Sequence, residues 1–172
     1  MKKLFIILIT IISISCNSQT NNLTAYQYQN IKIQNIYLSD ILGTGGDSSS
    51  LQNLFSDNFT IENGNEPGYW KQFESSSMYC LFQNGVQDEF RNNVTDYQLT
   101  NLRIKDDSKT LFINGLIVKI GDNISVLGNV NTMNNPATGE KKVVFRIGSE
   151  VIRISYTTIT NTITLIEYEF FN

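Results

Sequence analysis

Val143-Val144-Phe145-Arg146-Ile147-Gly148-Ser149-Glu150-Val151-Ile152-Arg153-Ile154-Ser155-Tyr156 reads as two strands and the turn between them. Val143, Phe145 and Ile147 alternate on one face, Gly148-Ser149-Glu150 reverses the chain, and Ile152, Ile154 and Tyr156 resume the alternation. A second turn centred on Thr160-Asn161 leads into a third strand, Ile163 to Phe170. Period-two patterning rich in Ile, Val, Tyr and Phe predicts an antiparallel meander with one buried face.

Moving outward, this meander has a counterpart 75 residues earlier. Gly46-Asp47-Ser48-Ser49-Ser50-Leu51 aligns with Gly121-Asp122-Asn123-Ile124-Ser125-Val126, Trp70 with Phe145, Tyr79 with Ile154, and Leu81 with Tyr156. Leu38 falls on Ile113 and Ile41 on Leu116; after an insertion around Gln87 to Asn93, Leu99 and Leu102 match Ile163 and Ile166. The expectation is two tandem strand–helix–three-strand units, about 31–105 and 110–172, in one α+β domain spanning 31–172. Their mainly antiparallel sheet carries two short helices on one face. In each unit the Gly allows a tight turn, and Asp47 or Asp122 caps the helix that follows.

The first sixteen residues carry an address. Met1-Lys2-Lys3 is positive, and Leu4 to Ile14 is apolar apart from Thr10 and Ser13. That run is too short for a spanning helix, which needs roughly 20 apolar residues, and fits a secretory leader. Ser13-Ile14-Ser15-Cys16 resembles the lipobox of bacterial lipoprotein precursors, although that family usually has an aliphatic residue at the position of Ser13. The resemblance implies that 1–15 is a signal peptide and that Cys16 becomes a lipidated N-terminus. The chain is then held on a bacterial membrane, expected to be the outer one, on its periplasmic or surface side. A plain leader, with Cys16 free to pair with Cys80, is the other reading. Residues 17 to about 30 are polar and aperiodic, which predicts a flexible tether spanning about 20 Å as a coil.

The two units behind a lipobox are also similar to the small lipoprotein fold of the outer-membrane assembly machinery and to the two-repeat beta-lactamase-inhibitor fold. Gly121 and Leu127-Gly128 echo the Gly that opens and the Leu-Gly that closes the helix in those families, with shorter spacing and no following proline. The likeness implies binding of another protein rather than catalysis.

Composition narrows the chemistry. The chain has 172 residues, 13 basic and 16 acidic, and no histidine. Without the leader lysines the balance is 11 against 16, mildly acidic, with no footprint for nucleic acid. The missing histidine removes Ser-His-Asp triads, Cys-His pairs and His-based zinc sites. Cys80, in the apolar run Met78 to Phe82, reads as a buried thiol. Gly43-Thr44-Gly45-Gly46 lacks the Lys of a phosphate loop. Asp106-Asp107 reads as a solvated turn between the units, and Glu167 and Glu169 as an exposed strand face. No catalytic residue, metal site or cofactor is expected. Glu66 to Phe73 contains the only Trp; Tyr69 and Trp70 are the candidate binding residues, with Trp70 expected to face the core as Phe145 does. The expected function is a membrane-anchored, non-catalytic module binding another envelope protein. An immunity protein against an exported toxin and a binder of a small apolar ligand are the alternatives.

Overall fold

The computed structural model describes residues 20–65, 69–84, 97–134 and 141–171. The leader and Cys16 lie outside the described residues. The chain runs β1 (Asn21–Asn22), α1 (Ala25–Gln29), β2 (Lys32–Ile33), β3 (Ile36–Tyr37), α2 (Leu38–Gly43), α3 (Ser48–Phe55), β4 (Thr60–Gly64), β5 (Trp70–Glu74), β6 (Met78–Gln83) and β7 (Gln98–Ile104). It continues with β8 (Thr110–Ile113), β9 (Leu116–Lys119), a 3-10 turn (Ile124–Leu127), β10 (Thr132–Asn134), β11 (Lys141–Ile147), β12 (Glu150–Tyr156) and β13 (Ile163–Phe170).

Two sheets form, and the fold is α+β as the patterning predicts. The large sheet has nine strands in the order β4-β5-β6-β7-β13-β12-β11, with β1 and β10 sharing the outer edge of β11. All its pairings are antiparallel except β1 with β11. The small sheet, β3-β2-β8-β9, is antiparallel throughout. One core lies between them. Phe73, Cys80, Leu102, Ile152 and Tyr168 from the large sheet meet Ile31, Ile33 and Leu111 from the small-sheet segments and Leu51 and Phe55 from α3, all buried. Phe73 makes edge contacts with Phe59 and Phe82 at 6.2 and 5.7 Å between ring centres. Each such side chain contributes roughly 1.5–3 kcal/mol by leaving water.

The tandem organisation holds, but its register differs from the offset of 75. Each half is a short hairpin, a helical segment, and a strand meander. The hairpins correspond eighty residues apart: Ile31-Lys32-Ile33-Gln34 matches Leu111-Phe112-Ile113-Asn114, and Gln34 and Asn114 both have positive φ, 57° and 52°. The meanders join where β7 pairs with β13, around Arg103 opposite Glu167. About that pair the ladder reads alike in both directions: Met78–Ile104 on one side answers Ile152–Tyr168 on the other. Trp70 and Phe145 are therefore not equivalent. Phe145 pairs with Ile152 and is buried, whereas Trp70 pairs with Gln83 and lies on the other face of the sheet from Phe73. The offset of 75, set by the two Gly-Asp pairs, differs from the register of the meanders by an odd number of residues, which exchanges the faces of β5 relative to β11.

The caps divide in the same way. Asp47 caps α3 as expected, accepting from Ser50 N at 2.8 Å. Asp122 does not cap. Its carboxylate turns back to accept from Lys119 N at 3.0 Å, and Asn123 caps the 3-10 turn by accepting from Ser125 N.

Ordered structure begins earlier than the tether reading allowed. The Asn21 side chain donates to Val144 O and Asn131 O at 3.1 and 3.0 Å, fixing β1 to the sheet edge. Thr24 and Gln27 form a reciprocal capping box on α1. Residues 21–29 thus belong to the folded body, because Asn and Thr satisfy backbone groups that the aperiodic polarity of the segment hides.

Candidate functional site

The outer face of the large sheet, opposite the core, carries polar and aromatic side chains in one cross-strand row. Reading across the pairings, the row is Glu74, Tyr79, Arg103, Glu167, Arg153 and Val144. A neighbouring row holds Gln72, Leu81, Asn101 and Glu169, and Trp70 stands beside Gln83 at one end. Strand alternation places all of them there.

Glu167 organises the centre. Arg103 Nε lies 2.5 Å from Oε1, Asn101 Nδ2 donates to the same oxygen at 3.1 Å, and an Arg153 terminal nitrogen lies 2.8 Å from Oε2. Arg153 also holds Glu169 through both terminal nitrogens, at 2.8 and 2.6 Å. Glu167 is only 4% exposed, so this is not the solvated strand face read from alternation. Burial by itself would raise its carboxyl pKa. The hydrogen bonds from Asn101 and Arg103, with the two arginine charges, outweigh that and hold it below the ordinary range. Three buried atoms around it, Asn101 Oδ1, Arg153 Nε and Ser155 Oγ, have no hydrogen-bond partner among the described residues.

The β5–β6–β7 end of this face is half open. The Arg103 guanidinium sits 5.5 Å from the centre of the Tyr79 ring, so aromatic and cation are fixed together. Trp70 is half-buried, and its indole lies over Gly64: a Cβ on Gly64 would come within 2.3 Å of the ring. Tyr69, 49% exposed, points to the opposite side of β5. The two sequence candidates therefore do not converge. Trp70 instead shares the outer face with Leu81, one ladder row away, and with Tyr79 and Arg103, two rows away, an arrangement the sequence does not show because the pairing that aligns them spans distant strands.

A second polar cluster bears on catalysis. Lys109 Nζ, buried, lies 2.6 Å from Asp57 Oδ1, while Ser75 and Ser77 hydroxyls each donate to Asp57 Oδ2 at 2.9 Å. A Ser–Lys nucleophile needs a neutral amine next to the hydroxyl. Here the ammonium is spent on a carboxylate and both hydroxyls point to that carboxylate, so the cluster ties the α3–β4 connection to the turn before β8. Cys80 is buried between Phe73 and Leu102, and burial pushes its thiol pKa far up, which suits an inert side chain. Asp106 accepts from Ser108 N and Oγ in the turn between the halves. Among the described residues no three of His, Cys, Asp and Glu gather at ligand spacing. Between the two sheets, the space around Ile33, Leu102, Leu111, Ile152 and Tyr168 amounts to about 10 Å³, at most one water. Compared with known proteins, the chain matches no family model, no curated sequence and no solved structure.

Proposed function

We propose that the chain is a lipid-anchored protein of the bacterial envelope that binds another protein through the outer face of its large sheet. The observation that carries this reading is the Arg103–Tyr79 pair, cation and ring 5.5 Å apart at the half-open end of that face, with Trp70 on the same face two ladder rows along. Trp, Tyr and Arg dominate binding energy at protein interfaces, and they do so best when their rotamers are fixed beforehand. Arg103 is fixed by Glu167 and Tyr79, and Trp70 by Gly64. The lipobox-like leader and Cys16 supply the anchor, and the likeness to tandem helix-plus-meander binding folds agrees with a non-catalytic role.

The test uses a photo-crosslinking residue at Gln72, between Trp70 and Glu74 on this face, with Ile159, 92% exposed in the β12–β13 turn, as control. In native membranes Gln72 should yield a discrete adduct that Ile159 does not, and Arg103→Glu should remove it. Equal adducts at both positions, or an adduct indifferent to Arg103→Glu, refute the face. The anchor is tested separately: Cys16→Ser should leave the membrane fraction or accumulate unprocessed. A processed mutant that stays in the membrane fraction as wild type does refutes the lipid assignment.

A further inference from the structure

The small sheet has an outward face that the core does not use. Ile33 and Leu111 point inward, so their neighbours in the ladder point out: Tyr37, Lys32, Phe112 and Ile117 line up by direct cross-strand pairing across all four strands. Tyr37 is 38% exposed and Ile117 67%, and Lys32 Nζ stands 4.2 Å from the centre of the Tyr37 ring. α1 extends this stripe. Tyr26 is 77% exposed, and Gln27 donates to Asn114 Oδ1 at 2.5 Å, joining α1 to the β8–β9 turn. Between α1 and that hairpin lies an open depression of about 480 Å³ beside Tyr26, Asn30 and Phe112.

We propose that this face lies on the surface of the bilayer that holds the protein; the inference rests on the lipidation of Cys16 proposed above. Chain length carries it. Four residue steps separate Cys16 from Thr20, at most about 14 Å fully extended. At Asn21 the chain is already locked to the sheet, and at Thr24 it caps α1. The start of the folded body at Asn21, five residue steps on, therefore stays within roughly 18 Å of the acylated residue, less than half the full thickness of the bilayer. Tyr26 follows within two residues of the Thr24 cap, so α1 and the stripe beside it are on the side of the protein that enters from the membrane. A protein partner for this stripe would have to fit into the gap left by that short connection.

The chemistry suits the same occupant. Tyr and Trp-like amphipathic rings, an exposed Ile, and a Lys whose apolar stem lies along a ring are the residues that settle at a membrane–water boundary. Five helical residues are too few to insert, so contact is peripheral, and the anchor rather than the stripe supplies the affinity. With the stripe toward the bilayer, the outer face of the large sheet, on the other side of the core, points away from it, which is where a partner for Trp70 and Arg103 would approach.

The full-length protein, purified from membranes with its anchor and reconstituted in phosphatidylethanolamine–phosphatidylcholine vesicles, tests this. A fluorophore is attached to Tyr26→Cys, to Ile117→Cys, or to Ile159→Cys as control; the native Cys80 is buried. Vesicles containing a headgroup-level lipid quencher should strongly reduce emission at positions 26 and 117 and leave 159 little changed. Vesicle-bound protein with no loss at 26 and 117, or equal loss at all three positions, overturns the orientation while leaving the anchor intact. Protein that does not float with vesicles at all fails at the anchor, and the orientation falls with it.

Discussion

Arg103 and Glu167 face each other where the two meanders join, with Nε and Oε1 2.5 Å apart and the carboxylate almost fully buried. Their environments are unequal. The Arg103 side chain is 49% exposed and Glu167 only 5%, with Arg153 as a second partner. Glu167→Ala should therefore cost about 2 kcal/mol, because Arg153 keeps only Glu169 while Arg103 and the Asn101 amide lose their shared buried acceptor. Arg103→Ala should cost at most about 1 kcal/mol, since Arg153 still neutralises the carboxylate. Denaturant melts of the two variants check the order; equal losses would mean that the network is not centred on Glu167.

Acid–base behaviour separates two other carboxylates. Glu150 accepts from both the Tyr28 and Tyr168 hydroxyls, and burial raises its pKa above 4.5, against the hydrogen bond from Tyr168. The folded state then binds a proton more readily than the unfolded chain, so this contribution is full below 4.5 and is lost as pH rises through the folded pKa. Asp57 goes the other way. Burial would raise it, but the hydrogen bonds from Lys109, Ser77 and Ser75 bring it below 3.8, so its contribution is present above 3.8 and is lost on further acidification. Glu150→Gln should flatten the decline in stability above pH 4.5, and Asp57→Asn should flatten the loss at the acid end. Unfolding free energies measured across pH 3–7 decide; an unchanged slope above pH 4.5 in Glu150→Gln would remove Glu150 as its cause.

Much of this was readable in the sequence, and the failures share a cause. The alternation of Val143, Phe145, Ile152 and Ile154 and the cap at Asp47 are local patterns, and each survives in the structure. What needed a partner strand did not read correctly. Glu167 looked solvated because its two arginines sit fourteen and sixty-four residues away. Trp70 was assigned to the core because the repeat was aligned on the two Gly-Asp pairs, while the intervening connections differ in length between halves. The hairpin match of Gln34 with Asn114 was in the sequence as well, hidden behind the stronger Gly-Asp match at the other offset.

That hairpin gives a stability prediction. Gln34 holds φ at 57°, a conformation that costs an ordinary side chain about 1 kcal/mol and that Asn tolerates better. Gln34→Asn should therefore raise stability by up to about 1 kcal/mol. A loss instead would show that the Gln34 side-chain bond to Ser108 O, 3.3 Å long, matters more than backbone strain.

Cys80 should behave as packing material. A bulky maleimide should react slowly with the native protein and quickly after denaturation, since the thiol is fully buried with its pKa pushed up. Cys80→Ser should cost about 1–3 kcal/mol by placing a hydroxyl among Phe73 and Leu102. Fast native labelling would contradict the burial.

Gly64 and Trp70 offer the sharpest test of the binding face. The two residues pair directly across β4 and β5, and the indole occupies the space where a Cβ of residue 64 would be. Gly64→Ala must either swing the ring away or shift the edge strand, and overpacking of this kind costs about 1–3 kcal/mol. Trp70 is the only tryptophan, so its emission reports the outcome directly: a displaced indole should shift to the red. In a Trp70→Ala background the same Gly64→Ala change should cost almost nothing, because the ring it would strike is gone, and the difference between the two backgrounds is the coupling. If Trp70 held on Gly64 is what makes the face receptive, Gly64→Ala should also weaken the Gln72 crosslink although residue 64 carries no group of its own to offer. An unshifted emission and equal costs in both backgrounds would show that the indole does not rest on Gly64, and Trp70 would lose its standing as a fixed anchor.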